Sequence, residues 1–87
     1  MKYIPNPDVV STELEDSESV LLNLKTRVYF SINETGSTIW NALVDGQSVV
    51  EIAATVTSEY EISEVEALIH VEAFLSGLAE NGLVEIE

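Results

Sequence analysis

The sequence predicts an α+β domain in which a three-stranded N-terminal antiparallel sheet is followed by three helices. Two observations predict this fold class. Apolar residues alternate with period two through the first third of the chain, as in half-buried strands, and recur at helical spacing after residue 33. Ser48 and Ser63 each precede a glutamate by three residues, which is the capping-box pattern of a helix start. This order of elements is close to a winged helix-turn-helix plan.

Strands are predicted between residues 9 and 32. Residues 1–8 hold both prolines and are expected to form a flexible or extended lead-in. Val9 to Leu14 alternate weakly and are predicted to form the first strand. The second and third strands each place three apolar side chains on one face, namely Val20, Leu22 and Leu24, and Val28, Phe30 and Ile32. Only residues 25–27 remain to turn the chain, so these two strands form a hairpin.

Helices are predicted from their start and stop signals. The first is predicted from its capping residue Asn33 to Asp45, where a glycine follows. The second is predicted from Ser48 to about Tyr60, and the third, which is the longest, from Ser63 to Asn81. The last five residues, LVEIE, alternate in the manner of a short strand or an ordered tail.

The third predicted helix has more apolar surface than one packing face needs. Its apolar side chains fill an arc of roughly 140°, whereas a helix on a small core needs about 100°. The arc is made by Ala67, Leu68, Val71, Phe74, Leu75, Leu78 and Ala79. Either neighbouring helices cover both flanks, or one flank is a groove wall that is open to a ligand.

Length and composition limit the classes of function. A chain of 87 residues forms one domain, spanning 1–87, with little room for a buried active-site cavity. No apolar run approaches the ~20 residues of a membrane span, and the N-terminus has no apolar block of signal-peptide length. There is no cysteine to indicate an oxidising compartment. We therefore expect a cytoplasmic protein with no membrane partner.

Negative charge dominates the chain, with a formal net charge of −13 at pH 7. Lys2, Lys25 and Arg27 are its only Lys and Arg residues, and residues 28–87 carry eleven carboxylates with no Lys or Arg. Such a surface repels phosphate backbones, so we expect no nucleic-acid partner. Two interpretations of the charge stay open, because it can serve solubility alone or attract a basic peptide or enzyme surface.

Residue types that carry catalysis or bind metals are sparse. His70 is the single histidine and lies in the middle of the third predicted helix, so a nucleophile paired with a base is not expected. Asp16 and Glu18 are too few for a metal-binding loop, and the glycines are too far apart for a phosphate loop. The chain does not resemble an acyl carrier protein, which carries its prosthetic arm on the serine of an Asp-Ser-Leu motif at a helix start. Asp16-Ser17 lies between predicted strands instead. We expect a binding module, not an enzyme, with no metal and no cofactor.

One order of residues is unusual: Leu22 and Leu24, then YFSIN at residues 29–33, then Gly36, then Ile39-Trp40, then an acidic pair of helices. This order resembles the PqqD family, small peptide-recognition domains in the biosynthesis of pyrroloquinoline quinone, lasso peptides and other ribosomally made, modified peptides. The likeness extends roughly from Val9 to Val84. The family often has a glycine in the hairpin turn where this chain has Arg27.

The resemblance implies a stand-alone peptide chaperone that captures the leader of a precursor peptide and presents the peptide to a modifying enzyme. The implied enzymes are a radical S-adenosylmethionine enzyme, or a leader peptidase and cyclase. The leader would lie antiparallel along the third strand, in a cleft between it and the third helix. The peptide-binding residues expected from this likeness are Arg27, Val28, Tyr29, Phe30, Ser31 and Ile32 on the strand, and Leu68, Val71, Glu72 and Leu75 on the helix.

An exposed third strand supports peptide binding on physical grounds as well, because unpaired N–H and C=O groups at a sheet edge can pair with an extended peptide. The alternative is a winged-helix interaction or regulatory domain that binds a protein and no leader. The same edge could also pair with itself, so a monomer and a homodimer both stay open.

Overall fold

The computed structural model describes residues 2–87 and confirms an α+β fold with three helices and antiparallel sheets. Its elements in chain order are β1 (Tyr3–Pro5), β2 (Val9–Glu13), β3 (Ser19–Asn23), β4 (Tyr29–Ile32), α1 (Glu34–Val44), α2 (Val49–Tyr60), α3 (Glu64–Glu80) and β5 (Val84–Ile86). A 3₁₀ turn, Glu15–Ser17, joins β2 to β3. Within residues 2–87, no helix is long and apolar enough to cross a membrane.

The predicted capping residues begin all three helices. The Asn33 side chain accepts the Gly36 N–H at 2.9 Å, which starts α1. At α2 the capping box is complete, since Ser48 Oγ accepts the Glu51 N–H at 3.2 Å and the Glu51 carboxylate accepts the Ser48 N–H at 2.9 Å. At α3 only the serine half forms, through Ser63. Each cap stabilises its helix by about 1 kcal/mol.

The predicted three strands form an antiparallel sheet in the order β2-β3-β4. Val10 lies opposite Leu22 across β2 and β3, and Leu22 lies opposite Tyr29 across β3 and β4. Because β3 is central, β2 and β4 each leave one edge without a partner strand in this sheet.

A second sheet joins the two ends of the described chain, because β1 pairs antiparallel with β5. Tyr3 lies opposite Ile86, and the Glu87 N–H donates to the Lys2 carbonyl at 2.8 Å. Of the flexible or extended lead-in expected for residues 1–8, residues 3–5 are extended and paired, and residue 1 lies outside the described residues. The three-stranded sheet is consequently not strictly N-terminal, and the strand expected in the last five residues is confirmed.

The core lies between the inner face of the sheet and the helices. On β3, Ser19, Leu21 and Asn23 are the buried residues, with Leu21 at 0% exposure. Val20, Leu22 and Leu24 therefore share one face of the sheet, as predicted, but this face points away from the helices. The core consists of Leu21, Ile32, Ile39, Trp40, Ala42, Leu43, Ile52, Ala53, Val56, Ala67, Val71, Leu75, Leu78, Leu83 and Val84.

The broad apolar arc of α3 divides into a buried centre and two different flanks. Val71 and Leu75 are among its fully buried central residues. One flank faces α2, where Leu68 borders a small hollow with Val50. On the other flank Phe74 is half-buried and borders a larger cavity. Neighbouring helices therefore border both flanks, but the Phe74 flank keeps a cavity that is open to a ligand.

Candidate functional site

The edge strand β4 presents backbone groups to solvent in a definite alternation. The Asn23 N–H donates to the Val28 carbonyl at 2.9 Å, so the pairing with β3 uses every second residue from Val28 onwards. Phe30 and Ile32, which continue this set, face β3 with their N–H and C=O groups. The backbone groups of Tyr29 and Ser31 therefore point to the open edge.

The turn before β4 depends on a buried asparagine and a left-handed residue. Asn23 is 2% exposed, and its side-chain oxygen accepts the N–H groups of Lys25 and Thr26 at 2.9 and 3.1 Å. Its amide donates to the Gly82 carbonyl at 3.0 Å. Arg27 has φ +66°, a conformation that glycine adopts at no steric cost. The turn thus places Arg27 in the conformation suited to the glycine that is frequent there in PqqD-like sequences.

Two contacts show that α3 lies beside β4 and runs in the opposite direction to it. Near the start of β4, the bond from Asn23 to Gly82 ties the hairpin to the end of α3. Near the end of β4, Gly36 lies between Ile32 and the Phe74 ring, and a Cβ built on it would be 3.0 Å from each. Gly77 follows Phe74 by about one turn, and a Cβ there would meet no atom within 4 Å. Strand β4 and the C-terminal half of α3 therefore form the two sides of an open cleft.

A cavity of about 400 Å³ lies at the end of β4, between the start of α1, the end of α2 and α3. The Tyr60 hydroxyl at its rim lies 3.2 Å from Thr38 Oγ1, which fixes the ring. Apolar and aromatic side chains make up most of the lining, so the cavity suits an aliphatic or aromatic group. The lining residues are Asn33, Thr35, Gly36, Ile39, Val56, Tyr60, Ile62, His70 and Phe74.

The predicted strand residues lie together along the cleft. Arg27 and Val28 precede β4 and are exposed, while Tyr29 and Ser31 are exposed at the open edge. The side chains of Phe30 and Ile32 turn inward, and Ile32 is only 4% exposed. Contact of these residues with a peptide stays a prediction.

The predicted helix residues do not share a surface with the strand. Val71 and Leu75 have 0% exposure, so they offer no side chain to a peptide. Leu68 faces α2, and Glu72 is exposed away from the cavity. Sequence reasoning missed Phe74 because helical spacing reveals an apolar arc but not which flank borders a cavity. The small residue Gly36 three positions after the helix cap was the available signal.

Comparison with known proteins gave matches along nearly the whole chain. The family model described as coenzyme PQQ synthesis protein D (PqqD) matches residues 18–84. The solved structure of TbiB1 in complex with the TbiA(beta) leader peptide has a TM-score of 0.89 and 33% identity, covering 97% of this chain and 96% of that chain. A lasso peptide synthetase B1 complexed with the leader peptide has a TM-score of 0.88 and 28% identity, covering 99% and 100%. The comparison with curated proteins gave no significant match.

Proposed function

This chain belongs to the PqqD family, and from that premise we propose that it binds the leader of a ribosomally made precursor peptide and presents the peptide to a modifying enzyme. The observation that carries the proposal is the open edge of β4, with the cavity that Phe74 of α3 borders at its end. An extended peptide added there completes the hydrogen bonds of the edge strand. The two similar structures were solved with leader peptides, which supports this ligand class.

The backbone supplies part of the affinity. Tyr29 and Ser31 each offer one N–H and one C=O, so an antiparallel peptide forms up to four hydrogen bonds with them. At about 0.5–1.5 kcal/mol net for each bond, the edge contributes about 2–6 kcal/mol before the peptide's ordering cost. Micromolar binding needs about 8 kcal/mol. Side chains of the peptide must therefore supply the difference.

The cleft provides the apolar surface for those side chains. Alternate residues of the added strand point inward, toward Phe74 and the cavity at the end of β4. Burying one aliphatic or aromatic side chain there contributes about 1.5–3 kcal/mol. With one anchor the total is about 3.5–9 kcal/mol before the ordering cost, so a leader that binds in the micromolar range needs more than one such anchor.

The chain holds and delivers the peptide, and the enzyme does the chemistry. Among the described residues that line the cavity, His70 is the one histidine, and it is exposed. The similarity to a lasso peptide synthetase B1 favours a leader peptidase and cyclase as partner enzymes over a radical S-adenosylmethionine enzyme. The absence of cysteine from the sequence fits a cytoplasmic site of action.

Proline substitutions at the two sheet edges test the proposal. Ser31→Pro removes an N–H from the open edge of β4 and places a ring there, but leaves the bonds to β3 in place. Ser11→Pro makes the same change on β2, whose open edge the proposal does not use. In calorimetric titration with a synthetic leader, Ser31→Pro should reduce affinity at least tenfold and Ser11→Pro less than twofold. Equal affinity of two folded variants would contradict binding at β4.

The competing function is a winged-helix interaction or regulatory domain that binds no leader. A regulator of this plan that reads DNA can be tested directly. Its recognition helix would be α3, which carries carboxylates at Glu64, Glu66 and Glu72 and no Lys or Arg. Duplex binding depends on cations that displace counterions from phosphates. An anisotropy titration at physiological salt should show no binding. Salt-sensitive binding tighter than about micromolar would favour the regulator over the leader-binding module.

A further inference from the structure

The outer face of the three-stranded sheet is apolar and is not covered by the helices. The register places Val10, Leu22 and Tyr29 in one row across the three strands, and Val20 and Leu24 flank Leu22 along β3. Val10, Leu24 and Tyr29 are 43%, 51% and 71% exposed. Single exposed apolar residues are ordinary, but neighbouring ones on one face mark an interaction surface. These five residues form the outer patch.

Positive charge borders the outer patch at the hairpin end. Lys25 and Arg27 are exposed and follow Leu24 in the turn, and they are two of the three Lys and Arg residues of the chain. One acidic residue lies near this end of the sheet. Asp8, which immediately precedes β2, is the neighbour of Leu24, because its backbone carbonyl accepts the Leu24 N–H at 2.8 Å. The surface formed by residues 28–87 has only carboxylates among its Asp, Glu, Lys and Arg side chains. A partner with carboxylates is therefore attracted to this end and repelled elsewhere.

The outer patch is continuous with the proposed leader site. A peptide strand paired with β4 would lie about 4.8 Å from it in the same sheet. Its outward side chains would stand beside Tyr29, since every second side chain of a strand points to the same face. The sheet would then present four strands on its outer face, one of them belonging to the leader.

We propose that the outer patch docks the modifying enzyme, through an enzyme surface that is apolar at its centre and carries carboxylates opposite Lys25 and Arg27. The inference rests on the proposed function, because the enzyme then contacts the bound leader as well as this chain. Enzyme docking and leader binding consequently strengthen each other by the same factor. A second copy of this chain fits less well, because two chains of net charge −13 repel each other.

The test uses polar substitutions that are remote from the β4 edge. The variant Val10→Thr/Leu24→Thr removes apolar area from the outer patch and retains residues that favour strands. The matched control is Val65→Thr/Ile69→Thr on α3, where the two side chains are 72% and 63% exposed. The probes are a synthetic leader and the purified modifying enzyme encoded with the precursor, titrated by interferometry and calorimetry.

The outer-patch variant should dock the enzyme at least tenfold more weakly, and its leader affinity should stay within twofold of the unsubstituted chain. The control should dock normally, and Lys25→Glu should weaken docking severalfold at low salt. Undiminished docking by the outer-patch variant would overturn the inference. So would light scattering that shows a dimer of the unsubstituted chain and a monomer of the variant, because a second copy would then occupy the patch. If the unsubstituted chain bound no leader, the proposed function would fail, while loss of docking in the variant would still support the patch.

Discussion

Gly36 is the residue at which the packing of the site can be tested most simply. It lies in the first turn of α1, and a Cβ there would be 3.0 Å from Ile32 Cβ and 3.0 Å from Phe74 Cζ. Gly36→Ala therefore pushes two walls of the cleft apart. Gly77→Ala is the matched control, because it adds the same methyl group to a helix where no atom lies within 4 Å.

The expected magnitude follows from two opposing effects. Overpacking a core position costs about 1–3 kcal/mol. Replacing glycine by alanine within a helix contributes about 0.5–1 kcal/mol of stability. The Phe74 ring is half-buried beside a cavity and can shift, but Ile32 is 4% exposed and its Cβ moves only with the backbone. We expect Gly36→Ala to lower the free energy of unfolding by about 1–2 kcal/mol and Gly77→Ala to raise it by about 0.5–1 kcal/mol.

Urea denaturation measures both changes. Trp40 is the single tryptophan and is 4% exposed, so its fluorescence reports loss of the core, and circular dichroism reports loss of the helices. Coincident transitions establish that unfolding is two-state. For Gly36→Ala the melting temperature should fall by about 4–8 °C for each kcal/mol lost. If Gly36→Ala is as stable as the unsubstituted chain while Gly77→Ala is stabilised, the close approach of Ile32, Gly36 and Phe74 is wrong.

Three further predictions concern the turn and the cleft. Arg27→Gly should raise the free energy of unfolding by about 0.5–1 kcal/mol in urea denaturation, since relief of the left-handed conformation exceeds the added freedom of the unfolded chain. Asn23→Ala should lower it by about 2–4 kcal/mol, because three hydrogen bonds of a buried side chain are lost; the exposed Asn81→Ala, which loses one bond, should cost less than about 1.5 kcal/mol. Phe74→Ala should weaken leader binding in calorimetry by about 1.5–3 kcal/mol, whereas Ile69→Ala, on the opposite surface of α3, should leave it unchanged.

Local sequence signals predicted most of the elements because the interactions that make them are local. The side chains of Asn33, Ser48 and Ser63 bond to N–H groups three residues ahead, and such pairs can be read directly from the sequence. Strand β1 could not be predicted in this way. It is three residues long, contains Pro5, and forms only because β5 pairs with it from the other end of the chain.

The candidate site combines an edge strand that the sequence predicted with a helix side chain that it did not predict. The alternating pattern and the short turn predicted the hairpin of β3 and β4, and the strand order places β4 at the expected edge. Helical spacing places Leu68 and Phe74 on opposite flanks of the apolar arc of α3, so it does not indicate which of them borders the site. Only the packing of the helices decides that Phe74, and not Leu68, borders the cavity at the end of β4.

Amide hydrogen exchange along β4, followed by NMR with and without a saturating synthetic leader, tests leader recognition at this edge most directly. Strand addition predicts slower exchange for Tyr29 and Ser31, whose N–H groups gain a partner. The amides of Phe30 and Ile32 already pair with β3 and should change little. Uniform protection across residues 27–32, or protection confined to α3, would mean that the leader does not pair with the β4 edge and would contradict the account.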